Sequence, residues 1–368
     1  MPETTGFPTR RGLLTAVAGA SLVESFLPRL RAQSVSGNRA LVCIYHFDGN
    51  DSNNLVVPLD SGRYAAYALA RGPLALDRAS LLMAQTTRGA QVGFHPAMPE
   101  LRDLFSRQRL AVVANIGVPA SKPPVSLLDP DLKYVPGAFS APQWAAAFTR
   151  SGAISTQEIT SGSAGLSRGG GIVRLASGSA GTATLSALRL STRFPDTALG
   201  GQLQKVVTAV AQSPNEAQFF FVPASGFGSG ANQLECHAAA MRDLSQAMAA
   251  FFDATVELGL SRRITTYTDG IFNRTMAPSP RGRATPAWGS HQLVMGDSVL
   301  GAEIYGSFPD FTLGGRDDAG KMGTWIPSVS KAQYHQALAR WAGIPDWQLR
   351  RSFPAATEAQ PANLSFLL

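Results

Sequence analysis

Cysteine is nearly missing from this chain: Cys43 and Cys236 are its two in 368 residues. Two thiolates cannot build a Cys-type zinc site, and two residues so far apart in sequence reveal no pairing. Cys43 lies within an apolar run and reads as a small core residue. Charge is scarce as well, with Asp, Glu, Lys and Arg making up 15% of the chain. The net charge of +7 is scattered. With no Lys/Arg run and no basic stripe interleaved with aromatics, nucleic acid is a poor partner. Beyond the amino terminus no apolar run approaches the roughly 18 residues that a membrane-spanning helix needs. A Gly-x-Ser-x-Gly elbow is also lacking. The nearest approach, Ser161-Gly162-Ser163-Ala164-Gly165, starts with Ser, which disfavours a Ser-His-Asp hydrolase.

What is present points to a folded α/β protein. Apolar residues make up 45% of the chain, enough for one large core, and 36 Gly with 24 Pro imply many turns and long surface loops. At the amino terminus Thr9-Arg10-Arg11-Gly12-Leu13-Leu14 precedes a mild, Ala-rich apolar segment ending near Leu27. A twin arginine ahead of a short apolar region is the pattern of a twin-arginine export signal. Residues 1–33 are therefore expected to be a leader, and 34–368 one domain, in the periplasm or secreted. Export makes a disulfide permissible.

The chain is organised around 40–58. Ala40 to His46 is a run rich in Val, Ile and aromatics, as a strand buried on both faces reads, and it breaks into Asp48, Gly49, Asn50, Asp51, Ser52, Asn53 and Asn54. In open α/β sheets ligands bind beyond the carboxyl ends of strands, so this polar loop is a site candidate; the competing reading is an ordinary Asn/Asp/Gly turn. Downstream, spacing predicts helices at 63–71, 97–108, 141–149, 202–212, 232–258, 331–342 and 346–351. Strands are predicted at 110–116, 171–175, 217–222, 264–268 and 292–295. Between about 118 and 198 the signal weakens to Gly, Ser and Thr, an irregular loop-rich insertion. His95, ahead of Pro96 and a helix, reads as a cap or packing residue; His237 reads as a surface residue and His335 as solvated. The alternation of strand and helix favours one doubly wound domain.

Several segments, in order over nearly the whole chain, resemble domain-of-unknown-function family 1501, twin-arginine-exported bacterial proteins related to alkaline phosphatases and sulfatases. They include the leader, Gly49 to Pro58, Phe94-His95-Pro96, Leu110 to Gly117, Asn232-Gln233, Ala254 to Leu260, Ala287-Trp288-Gly289, Gly301 to Pro309 and Leu313 to Pro327. The resemblance implies a three-layer α/β/α sandwich with a mostly parallel, alkaline-phosphatase-like sheet. It also implies a site where Asp and His hold divalent cations that activate a Ser or Thr nucleophile or a water.

The residues that would do this are largely replaced. Where the family reads Gly-Phe-Asp-Thr-His, this chain has Gly226-Phe227-Gly228-Ser229-Gly230. Where it reads Asp-His-Ala-Trp-Gly-Asn-His-His, the chain has Thr285-Pro286-Ala287-Trp288-Gly289-Ser290-His291-Gln292. An acid becomes Ile271, and Phe-Ser-His becomes Phe139-Ser140-Ala141. Such a site cannot hold its ions at useful affinity.

The expectation is a non-catalytic exported protein, a pseudoenzyme, serving binding or assembly in the cell envelope with no cofactor and with another exported protein as partner. Its crevice would be lined by Asp48, Asn50, Asn54, Trp288, Arg316, Asp317 and Asp318. The rival is a metal-dependent phosphate or sulfate ester hydrolase with a reduced site. There Asp51, Asp269 and His291 would hold Zn, Mn, Mg or Ca, and Ser140 would be catalytic. A third class, a carbohydrate or surface-polymer binder, predicts Trp288 and Trp325 exposed around the crevice.

Overall fold

A computed structural model describes residues 38–46, 48–117, 155–159, 172–176, 188–213, 215, 217–228, 232–270, 272–352 and 363–368. The expected leader, the expected helix at 141–149, Ser140 and most of the expected insertion lie outside these residues.

The chain opens with strand β1 (Ala40–His46), followed by a single 3-10 turn at Ser52–Asn54 and the short strand β2 (Val56–Pro58). Helix α1 (Ser61–Arg71) starts where the Asp60 carboxylate accepts from the Arg63 amide and stops at Gly72, ahead of Pro73. Strands β3 (Leu82–Gln85) and β4 (Gln91–Phe94) join β2 in a small antiparallel sheet that periodicity alone did not suggest. Helix α2 (Pro99–Ser106), with Pro at its first turn, leads into strand β5 (Leu110–Gly117).

After strands β6 (Ser155–Ile159) and β7 (Ile172–Ala176) come helix α3 (Ala198–Gln212), strand β8 (Gln218–Ala224) and the long helix α4 (Gln233–Glu257). Strand β9 (Ile264–Gly270), the short pair β10 (Asn273–Arg274) and β11 (Pro286–Ala287), and strand β12 (Ser290–Met295) follow. The described chain closes with strands β13 (Ile304–Gly306) and β14 (Val329–Ser330) and helices α5 (Lys331–Trp341) and α6 (Asp346–Ser352). A capping box between Ser330 and Gln333 sets the start of α5.

The main sheet has nine strands in the order β13-β5-β12-β9-β1-β8-β7-β6, with β14 also pairing β5. Seven of the nine run one way; β12 and β7 are reversed, each pairing antiparallel with its neighbours. The chain is thus mixed α/β with a mostly parallel central sheet. Alternate residues of β1 enter different cores. Ala40, Val42 and Ile44 pack with α2, α3 and α4, while Leu41, Cys43 and Tyr45 pack with Tyr334, Leu338, Trp341 and Leu349 of α5 and α6. Helices therefore cover both faces, which is why β1 reads as an unbroken apolar run.

Register places His46, the last residue of β1, beside Ala224 of β8 and Gly270 of β9. The carboxyl ends of these three strands thus lie together. Because β12 is reversed, its first residues, Ser290 and His291, arrive at the same edge next to Ile116 and Asn115 of β5.

Candidate functional site

The loop after β1 is polar yet buried, from Asn50 through Asn54. Burial of so many polar groups is tolerable only where they find partners. Ser52 donates its amide and hydroxyl to Asn273 Oδ1, both at 3.0 Å, and its hydroxyl accepts from the His291 amide at 2.9 Å. Asn53 donates its side-chain Nδ2 to the Arg274 carbonyl, and its Oδ1 accepts from the Trp325 indole. Asn54 donates to the Leu74 carbonyl and accepts from Tyr67 and from Arg71 Nε. The bend that starts this loop requires Gly49: its φ is +72°, and a Cβ there would fall 2.3 Å from the Phe272 ring.

Asp51 is the electrostatic centre of one half of the site. Its Oδ2 accepts from Arg71 Nη2 and from the side-chain amide of Gln233 at the start of α4. Arg71 is wholly buried and spends its other donors on Asn54 and on the carbonyls of Thr275 and Met276. Burial pushes the Asp51 carboxyl up, but the Arg71 charge and the two hydrogen bonds outweigh it and hold it below the usual carboxylate range.

The other half is less completely paired. His46 is buried with no hydrogen-bond partner for either ring nitrogen, its ring stacked on Phe227 at 4.1 Å. His237, in the first turn of α4, points Nε2 at Asn50 Oδ1 at 3.0 Å and leaves Nδ1 unpartnered. Asp48 accepts from the amides of Gly226 and Gly228 on Oδ2, while its Oδ1 has no partner. Arg274 donates Nη2 to the Asp48 carbonyl and lies over the Phe272 ring, with Nε unpartnered.

Burial keeps these imidazoles neutral, lowering His46 to about 3 against some opposition from the Asp269 charge, and His237 to about 4 against the Asp51 charge. His95 and His291 are each lowered to about 3, again chiefly by burial. His291 accepts the Asn115 amide on Nδ1, so its proton sits on Nε2, which is buried without a partner.

A second carboxylate stands at the end of β9. Asp269 binds Lys331 Nζ at 2.9 Å through Oδ1 and His335 Nε2 at 3.0 Å through Oδ2, and Lys331 also donates to the Gly270 carbonyl. Burial pushes the Asp269 carboxyl up, yet Lys331 and His335 hold it well below the usual range.

These placements revise several sequence expectations. His237 is not a surface residue and His335 is not solvated; both are buried, each against a residue of the strand-end loops or strands. The signal for His237 was its spacing: it stands four residues before Met241 on the face that continues through Leu244, Met248 and Phe251. His95 does serve as a local cap, accepting the Ala97 amide on Nδ1. Cys43 and Cys236 are both free, the first buried and the second exposed.

Trp288 and Trp325 are buried, the reverse of the exposure that a surface-polymer binder calls for. Asp318 uses its carboxylate to hold its own loop, accepting from the amides of Gly314, Gly320, Gly323 and Thr324, while Asp317 accepts from the Asp310 amide. Arg316 is exposed and pairs with Asp317. Asp51 and Asp269 are each engaged by separate protein partners, and His291 by Asn115. Among the described residues no three His, Cys, Asp or Glu side chains are grouped so as to hold a metal ion. No described helix is long and apolar enough to cross a membrane. Sequence reasoning assigned no site role to His46, Arg71, Gln233, Asn273, Arg274 or Lys331; Arg71, for one, looked like the ordinary last residue of a helix before Gly72-Pro73.

Comparison with protein-family models and with curated proteins yields no match.

Proposed function

We propose that this chain is a non-catalytic, exported member of the alkaline phosphatase and sulfatase-like group, acting in binding or assembly in the cell envelope with another exported protein. The observation that carries the reading is the Arg71–Asp51 pair: the carboxylate that a metal hydrolase of this kind would offer to a cation is engaged by a buried guanidinium of the same chain. Arg is a permanent cation with a rigid fork of donors. Asp51 Oδ1 has no hydrogen-bond partner, but a divalent ion seated there would lie against that guanidinium charge, and binding Oδ2 as well would expel it and leave it buried and unpaired. At Asp269 the Lys331 ammonium engages one oxygen and His335 Nε2 the other. The mostly parallel sheet, with polar loops at its carboxyl edge, is in keeping with an alkaline-phosphatase-like core.

Metal analysis of the protein purified from the periplasm tests the reading, together with hydrolysis of p-nitrophenyl phosphate and sulfate in added Zn, Mn, Mg or Ca. The expected result is substoichiometric metal and no turnover. A full equivalent of bound metal, with ester cleavage that disappears in Asp51→Asn, would establish the rival hydrolase. Replacing Arg10 and Arg11 by Lys is expected to keep the protein out of the periplasm, as twin-arginine export requires.

A further inference from the structure

The pairing of Asp51 with Arg71 and Gln233 also holds a second structure in place. Between Asp269 and Asp297 the chain has no Asp or Glu, yet it carries Arg274, Arg281 and Arg283. Strands β10 and β11 form the root of this stretch, setting Asn273 opposite Ala287 and Arg274 opposite Pro286. The ladder continues outward where the Thr275 amide donates to the Thr285 carbonyl at 2.7 Å. It closes where the Ser279 amide donates to the Arg283 carbonyl and Gly282 turns at φ +73°. A third segment joins on the other side, the amides of Met276 and Ala277 donating to the carbonyls of Gly323 and Met322. Both arms of this ribbon are tied to Asp51. Arg71 donates Nη1 to the Thr275 and Met276 carbonyls and Nη2 to the Asp51 carboxylate. Gln233 accepts the Ala284 amide on Oε1 and donates Nε2 to the same carboxylate oxygen. Near the tip Pro278 and Pro280 fix two further backbone angles.

The tip is cationic. Arg281 and Arg283 are exposed, as is Lys321, one residue beyond the Ala277–Met322 hydrogen bond on the facing segment. Among the described residues none of these three side chains has a hydrogen bond or an ion pair. The acids nearby are engaged elsewhere. Asp318 accepts four amides of its own loop, Asp317 accepts the Asp310 amide and pairs with Arg316, and Asp310 accepts the Thr312 amide. Glu235, in the first turn of α4, accepts from Asn232, and Asp48 faces Arg274 at the root. Three cations without an acid of their own, on backbone that is already ordered, suit carboxylates, which guanidinium groups bind through forked donors. A lipid surface is a poorer fit. Pro278 to Thr285 offers no large apolar side chain to a bilayer, and anionic lipid recognition calls for a cluster of about four to eight cations. We propose that this ribbon is where the protein partner docks, and that it takes an extended acidic segment of that partner on Arg281, Arg283 and Lys321. Asp51 serves the surface indirectly, anchoring its root through Arg71 and Gln233. The inference rests on reading the chain as a binding protein, yet it can fail independently: metal content and ester cleavage decide catalysis, and charge-dependent binding at the ribbon decides the docking surface.

The test is fluorescence anisotropy of a labelled peptide of alternating Glu and Ser, titrated with the purified protein. A Gln and Ser peptide is the neutral control, and phosphatidylglycerol vesicles are offered separately. The expected result is saturable binding of the acidic peptide, weakening steeply between about 50 and about 300 mM salt as exposed charges are screened, with none of the neutral peptide. Arg281→Glu combined with Arg283→Glu is expected to weaken binding about tenfold or more, since two pairs are lost and like charges stand in their place. Arg107→Glu combined with Arg350→Glu changes the net charge equally at exposed arginines outside the ribbon, and should leave affinity within about twofold. Lys321→Glu, on the facing segment, is the further variant should the first fail to fold. Equal losses in the two double variants would show a response to net charge alone and overturn the proposal. So would absence of saturable binding to the acidic peptide, binding indifferent to Lys321→Glu, or preference for the vesicles.

Discussion

The two halves of the loop after β1 solve the same problem in opposite ways. On the Asp51 side a single arginine, drawn from the end of α1, engages the carboxylate, Asn54 and two carbonyls. On the His46 side the neighbouring segment supplies glycines, Gly226 and Gly228, that offer amides to Asp48 but no side chain to the imidazoles. Both halves are buried. One is compensated by a permanent charge, with Asp51 Oδ1 its unpartnered atom, and the other holds neutral rings of which His46 has no hydrogen bond at all. A buried charge is compensated where the chain supplies a cation of its own, and a polar network is left incomplete where small residues offer no side-chain partner.

Acid is the strongest way to separate the halves. His46, His95, His237 and His291 have folded-state values of about 3 to 4, below the ordinary 6.5. The unfolded chain therefore takes up more protons in that window. The imidazole contribution is complete above pH 6.5 and is lost as pH falls toward those values, at about 1.4 kcal/mol per ring per pH unit. Four rings together withdraw on the order of 10 kcal/mol by pH 4, comparable with a whole domain's stability. Asp51, whose carboxyl is lowered, keeps its contribution until pH drops below the ordinary Asp value of about 3.9. Unfolding followed by near-ultraviolet circular dichroism should thus show a midpoint above pH 4. A chain that keeps its tertiary signal to pH 3 would sink the picture of neutral buried rings.

Breaking the locked half comes next. Arg71→Ala leaves the Asp51 charge buried without its counterion, an expected cost of about 3–5 kcal/mol by urea denaturation. Adding Asp51→Asn to that variant should recover part of the loss, since the uncompensated charge is then gone; additive costs would mean the two residues do not act as a pair.

A smaller change tests the glycine side. Gly228→Ala puts a methyl 2.9 Å from Arg274 Nη2 and 3.1 Å from Asp48 Oδ2, with an expected loss of about 1–3 kcal/mol from overpacking. Arg316→Ala supplies the baseline: its side chain is 85% exposed, and thermal unfolding should shift by no more than about 0.5 kcal/mol equivalent. A larger shift would show that the Arg316 loop is coupled to the crevice after all.

Much of the fold was legible. Strand β1 runs from Ala40 to His46 as its apolar run indicated, and β5, β8, β9, α3, α4, α5 and α6 fall within a few residues of their expected positions. The β2-β4-β3 sheet was not, because Val56–Pro58 is three residues long and Leu82–Gln85 and Gln91–Phe94 are four each, too short for periodicity to register. In the site, the importance of the Asp48 to Asn54 loop could be read from its polar residues following a buried strand. The partners could not, since Arg71, Gln233, Asn273 and Lys331 come from distant elements and none carries a local signal of its role. His335 was misread because a histidine between Tyr334 and Gln336 looks amphipathic, whereas Asp269, 66 residues away, decides its environment.

The order of strands and helices, the two-faced burial of β1 and the loop of Asp and Asn residues behind it followed from the sequence, because each depends on periodicity and side-chain chemistry within a short stretch. Which carboxylate meets which cation, and which imidazole is left without a partner, was decided by the tertiary structure. Those pairings form only when β1, β8, β9 and the reversed β12 bring their ends to one edge, and a spacing rule reaches no further than the helix or strand that carries it.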